Sequence, residues 1–100
     1  MNTYDVCTEI VHERIRQDEL WGEQNHLDGT GSPLWKSQAE FAKRYNRRRV
    51  ANGRITWLHI LEEEFYEAMA ETDPAKLREE LVQVAAVAVN WIEAIDRRGA

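Results

Sequence analysis

Apolar residues recur along most of this chain every three to four positions, and no run alternates every second position, so the pattern predicts helices and no sheet. Over residues 3–20, Tyr4, Cys7, Val11 and Ile15 form one stripe, widened by Ile10, and Cys7 is expected in the core beneath it. From Gly22 to Ser32 the composition changes to turn formers, including Asp28-Gly29 and Gly31-Ser32, which predicts a long connecting loop with Asp28 as a turn residue. Ser32 suits the N-cap and Pro33 the first position of a second helix. Its face carries Leu34, Gln38, Phe41 and Tyr45, flanked by Trp35 and Ala42, and it ends near Asn52-Gly53. Thr56 caps a third helix, with Ile55 and Ile60 placed for a hydrophobic staple, and this helix ends near Glu71. Asp73-Pro74 opens a fourth that runs to about Arg97, with Gly99 at its exit. The short break between the last two makes them an antiparallel hairpin.

Within that hairpin the polar positions are more informative than the apolar ones. On the third helix Trp57, Leu58, Leu61, Phe65, Ala68 and Met69 form an apolar stripe, and Glu63, Glu64, Glu67 and Glu71 lie beside it within roughly 100° of one another. Like charges at these spacings repel by a few tenths of a kcal/mol per pair, which a cation would offset. A solvated acidic face is the commoner meaning of such a pattern. The fourth helix, from Leu81 to Val89, is apolar nearly all round and is expected to be buried on most sides. Glu80, Gln83 and Asn90 nevertheless fall within roughly 80° of one another on it. A carboxylate in a buried setting needs a counter-charge, and the third helix offers more carboxylates. Mg²⁺, a hard cation that takes oxygen ligands and keeps part of its shell for water or phosphate, would reconcile the two helices; Mn²⁺ could substitute. The competing explanation is a structural hydrogen-bond network with Arg78 or the basic run as partner.

Composition narrows the class. At 100 residues the chain suits one domain spanning 1–100, with limited apolar area to bury, so self-association would help it. With 43% hydrophobic and 31% charged residues it is globular in composition rather than disordered. The net charge of −5 argues against a protein that coats duplex DNA. The charge is uneven: Lys43, Arg44, Arg47, Arg48, Arg49 and Arg54 follow one another with no acidic residue between them. That run is a solvated face or a phosphate-binding patch, in which Arg44 and Arg48 share a side at i,i+4. One cysteine cannot form an internal disulfide or a cysteine-based zinc cluster, which fits a reducing compartment. No signal-peptide pattern and no membrane-length apolar run is visible, so a cytoplasmic location and no membrane partner are expected. Neither a Ser/His/Asp signature, a phosphate-cradling Gly-rich loop nor HExxH occurs, and His12 and His59 have no second histidine at metal spacing.

Glu63-Glu64-Phe65-Tyr66-Glu67, followed by Glu80-Leu81-Val82-Gln83, resembles the Glu-Glu-x-x-Glu … Glu-x-x-Asp pattern of the MazG-like, all-α nucleoside triphosphate pyrophosphohydrolases. The stretch from Trp57 to Ile95 is similar to that family's helix hairpin, including Asn90, which some bacterial members share. Trp21-Gly22-Glu23-Gln24-Asn25-His26 looks like the Trp-x-x-x-x-His element of the dCTP-cleaving branch. The resemblance implies an all-α four-helix bundle completed as a homodimer or homotetramer. It implies cleavage of a nucleoside triphosphate between its α- and β-phosphates, giving a monophosphate and pyrophosphate. Glu64, Glu67 and Glu80 would be metal ligands, Gln83 a weakened fourth, and Glu63 the group that orients or deprotonates water. Trp21 and His26 would contact the base, and Asn90, Arg44 and Arg48 the rest of the nucleotide.

The chain departs from the family where Gln83 stands in place of the aspartate. An amide oxygen can ligate a hard cation but brings no charge. Glu93-x-x-Asp96 has the same spelling but sits at the helix end, away from the polar stripe. Two other functions stay open: a nucleotide-binding or regulatory module that has lost turnover through Gln83, and a small nucleic-acid-binding helical protein using the basic run. The acidity of the chain makes nucleic acid the least favoured partner.

Overall fold

The computed structural model describes residues 2–99, and among them there are four α-helices and no strand. They are α1 (Thr3–Trp21), α2 (Pro33–Ala51), α3 (Trp57–Ala70) and α4 (Pro74–Gly99).

Side-chain caps explain where the helices begin. Ser32 accepts a hydrogen bond from the Leu34 amide with Pro33 at the first helical position, and Thr56 accepts one from the His59 amide. The His59 ring completes the Thr56 cap by accepting from the Thr56 backbone N–H at 3.2 Å, so this histidine, without a role in the sequence pattern, closes a capping box. Asp73 receives the Lys76 amide on its carboxylate and the Leu77 amide on its carbonyl, which starts α4. Asn2 and Asp5 form a reciprocal box at the head of α1 that the sequence reading did not identify.

The chain divides into two compact units, and α4 contributes to both. One comprises residues 29–88. In it Ala42, Ala68 and Leu77 are buried, and the aromatic rings of α2 and α3 pack together: Trp35 stacks on Tyr66 at 5.9 Å and meets Phe65 edge-on at 5.8 Å. Residues 29–31 end the connecting loop against the end of α3. The Gly31 amide donates to the Met69 carbonyl at 2.8 Å, and the Thr30 hydroxyl donates to the Glu71 carbonyl at 2.6 Å. These bonds serve carbonyls that a helix end leaves without partners. Gly31 has φ of 96°, and a Cβ there would collide with the Thr72 methyl group. The other unit holds α1 and the last part of α4; Val6 and Val89 are its buried apolar residues, and Thr3 donates to Glu93 at 2.8 Å.

Three expectations about burial need correcting. Cys7 is exposed, and its neighbour Val6 is the residue α1 buries, because the helix meets its surroundings on a side rotated from the Tyr4–Ile15 stripe. On α2 the inward positions are Trp35, Ala39, Ala42, Asn46 and Arg49, while Leu34 and Phe41 are exposed. The middle of α4 is not enclosed: Leu81 is 46% and Val82 56% exposed. A helix apolar on most sides needs neighbours on most sides, and two small units of one chain do not supply them.

Candidate metal centre

Spacing along α3 and one turn of α4 assemble the site. Glu64 and Glu67, at i,i+3, present their carboxylates on one side of α3. The link through residues 71–73 is short enough that Glu80, on the second turn of α4, comes alongside. Carboxylate oxygens of Glu64, Glu67 and Glu80 all lie within 4.8 Å of one another, and all three side chains are half-buried. These are three of the four metal-ligand candidates that the resemblance implies; the fourth, Gln83, is not among the converging carboxylates. No ion pair among the described residues reaches the triad: the two present, Arg14–Asp18 and Arg16–Glu13, are both on α1. Arg78, the alternative counter-charge, is exposed and makes neither.

Protonation behaviour follows from this crowding. Burial, then the charges of Glu80 and Glu63, raise the Glu64 carboxyl above the ordinary value of 4.5. Burial also raises Glu67, with Glu64, Glu63 and Glu80 adding to it and Lys43 opposing. A raised carboxyl pKa means that the folded chain holds protons which the unfolded chain has released. The stability these groups contribute is therefore present at low pH and lost as pH rises past 4.5 through the raised values. A dication favours the ionised form and removes that penalty. Adding Mg²⁺ or Mn²⁺ should raise the melting temperature near pH 7 by a few degrees and much less near pH 4.5, measured against Glu64→Gln, in which the increment should shrink. A melting temperature indifferent to either ion at pH 7 would count against a cation at this site.

Glu63 is held separately. The amide nitrogen of Asn46 on α2 donates to Glu63 Oε1 at 3.0 Å and to the His59 carbonyl at 2.9 Å, and its oxygen accepts from Arg49 Nη1 at 2.8 Å. Asn46 is 6% exposed and is the buried polar residue of the described chain. Both acceptors and the one donor around it dictate the orientation of the amide. Sequence reasoning missed Asn46; its only available signal was an amide inside a run of cations. Two clefts flank these residues. Glu67 and Glu80 line one of about 390 Å³ with Lys36, Ala39 and Glu40, and Glu63 lines one of about 350 Å³ with Lys43 and Arg47. A further depression, about 1050 Å³, lies along the second half of α1 and the start of the loop after it, from Glu13 to Gln24, and contains no residue of the triad.

The remaining candidates are dispersed. Gln83 lies one turn beyond Glu80 on α4 and is exposed. Arg44 and Arg48 are exposed on α2, and the Arg48 guanidinium lies 5.8 Å from the centre of the Tyr45 ring. Trp21, His26 and Asn90 are exposed and belong to the unit that does not contain the triad; Trp21 is 68% exposed at the end of α1. Glu93 is bonded to Thr3, and Asp96 Oδ2 is buried with no hydrogen-bond partner. No helix among the described residues is long and apolar enough to cross a membrane. Comparison with protein-family models, with curated proteins and with solved structures finds no match to this chain.

Proposed function

We propose that this chain is a Mg²⁺-dependent nucleoside triphosphate pyrophosphohydrolase of the MazG-like kind, with Mn²⁺ able to replace Mg²⁺. The observation that carries the reading is the convergence of Glu64, Glu67 and Glu80 to within 4.8 Å, half-buried and without a protein cation in ion-pair contact. Oxygen-only donors at this spacing suit a hard divalent ion. Such an ion, when bound, would neutralise phosphate oxygens and make a nearby water more acidic. The chain's own part is to place three carboxylates around one point and to hold Glu63 beside them through Asn46, where it would orient or accept a proton from water. Gln83, beside Glu80, would add a neutral oxygen, and Trp21, His26, Asn90, Arg44 and Arg48 remain candidates for nucleotide contact.

A weakened, nucleotide-binding version of the same fold is the second reading, favoured by Gln83 in place of a charged ligand. One panel separates the two: all NTPs and dNTPs with and without Mg²⁺ or Mn²⁺, on wild type and Gln83→Asp, followed as pyrophosphate release. Turnover by wild type with at least one nucleotide, gone without metal, is expected. Nucleotide binding with no product, and activity appearing only in Gln83→Asp, would establish the second reading instead.

The same proposal has the chain working as a homodimer or homotetramer. Five buried apolar residues among those described make a small core, while Leu58, Phe65, Leu81 and Val82 are exposed. Light scattering on the assayed sample should therefore give two or four chain masses, and a monomer at assay concentration would remove this part of the proposal.

A further inference from the structure

Lys43, Asn46, Arg47 and Val50 recur at i, i+3, i+4 and i+7, which puts them on one side of α2. With Glu63 from α3 they line the cleft of about 350 Å³. Asn46 ties the two walls together, since its amide holds the Glu63 carboxylate at 3.0 Å. Lys43 and Arg47 stand one helical turn apart at i,i+4, exposed at the rim, and neither makes an ion pair among the described residues. Glutamates are close at hand, and the Lys43 charge is felt at Glu67. Two cations left unspent beside an acidic centre form an electropositive rim on it.

The other arginines of the run differ. Arg44 and Arg48 project from α2 roughly 100° around the helix from Lys43 and Arg47, and Arg48 lies over Tyr45. Arg49 is engaged with Asn46. The cations that share a cleft with Glu63 are therefore not the pair that sequence spacing favoured.

We propose that Lys43 and Arg47 form a subsite for the end of a polyphosphate chain, the diphosphate that leaves in the reaction proposed above; the identity of this ligand rests on that reading. A guanidinium matches phosphate oxygens with paired hydrogen bonds, and an ammonium adds a compact charge. Glu63 shares the cleft with this rim and Glu64 follows it on α3, so a ligand held by both cations and by an ion on the triad would carry several negative charges in sequence, as a diphosphate does. Glu63 in the same cleft opposes a bare anion, so the diphosphate binds more tightly together with the divalent ion than alone.

Inorganic pyrophosphate is titrated calorimetrically into the full chain with Mn²⁺ present, after Mn²⁺ alone has been titrated. Lys43→Ala/Arg47→Ala should weaken pyrophosphate binding by at least about tenfold, two charge-assisted contacts being lost. Lys43→Arg/Arg47→Lys, which keeps the charges, should restore most of it. Arg97→Ala/Arg98→Ala, at the exposed end of α4, should leave it nearly unchanged, and none of the variants should weaken the affinity for Mn²⁺ alone. Equal weakening by the Arg97/Arg98 pair, or none by the Lys43/Arg47 pair, overturns the subsite while leaving the metal reading standing. If wild type binds no Mn²⁺, the metal reading fails, and pyrophosphate titrated alone decides the subsite. Binding lost in Lys43→Ala/Arg47→Ala supports it, and no binding by wild type overturns it.

Discussion

Glu67→Ala is expected to abolish metal-dependent pyrophosphate release and to weaken Mn²⁺ binding by about 100-fold or more. Even groups that only orient a metal's ligands cost about 10- to 100-fold when removed, and Glu67 would be a ligand itself. It is the member of the triad with the most carboxylate neighbours acting on it: Glu64, Glu63 and Glu80 all raise its pKa after burial has done so. That crowding makes the expected effects on fold and on function opposite in sign. Without metal, Glu67→Ala removes repulsion from the end of α3 and replaces a good helix former by the best one. The variant should therefore melt at or slightly above the wild-type temperature in the absence of divalent ions near pH 7, while failing to gain stability when Mn²⁺ is added. Mn²⁺ affinity read by electron paramagnetic resonance, beside thermal melts with and without the ion, checks both halves. A Glu67→Ala chain that binds Mn²⁺ as tightly as wild type would end the case for this site.

Asn46→Leu is expected to be the most costly single change on α2, destabilising the chain by about 2 kcal/mol. The side chain is similar in size, so packing is largely kept, and the loss falls on hydrogen bonding. The His59 carbonyl, Glu63 Oε1 and Arg49 Nη1 would each lose a partner in a part-buried setting. Leaving such groups unpaired costs more than the bonds contribute when made. For a domain of this size the melting temperature should drop by about 10 °C. Arg44→Leu, on the exposed side of the same helix, serves as the control and should stay within about 0.5 kcal/mol of wild type. A urea midpoint for Asn46→Leu indistinguishable from that of Arg44→Leu would show that the network stabilises nothing.

The contrast between these two residues shows what the sequence could and could not reveal. The helices were legible because their starts depend on neighbours in the chain: Ser32-Pro33, Thr56 and Asp73-Pro74 each cap the helix that follows. Glu64, Glu67 and Glu80 were legible in part. Helical spacing marked a wider set, Glu63, Glu64, Glu67 and Glu71 on α3 with Glu80, Gln83 and Asn90 on α4, and the three that converge were singled out by the resemblance rather than by spacing. Asn46 was not legible, because it matters only through the register of α2 against α3, which spacing along one helix does not encode. The same limit explains Cys7 and Val6: a stripe says that a side of the helix is apolar, not which part of it finds a neighbour. It also explains α4, whose Leu81 and Val82 read as enclosed and are open in the single chain. The Lys43/Arg47 pair escaped for a further reason. In a run of cations every i,i+4 pair looks alike until the opposite wall, here Glu63, is known.

Thr30 and Gly31 hold the carbonyls of Glu71 and Met69, where α3 hands over to α4. The connector between the first two helices thus acts as a strap whose buckle lies at residues 30 and 31. Residues 23–28 carry none of this fastening. Any bulk at Gly31, by contrast, would press on Thr72 and tilt the hand-over on which the placement of Glu80 depends. A loop that contributes no carboxylate to the triad would in this way govern how closely its three carboxylates meet.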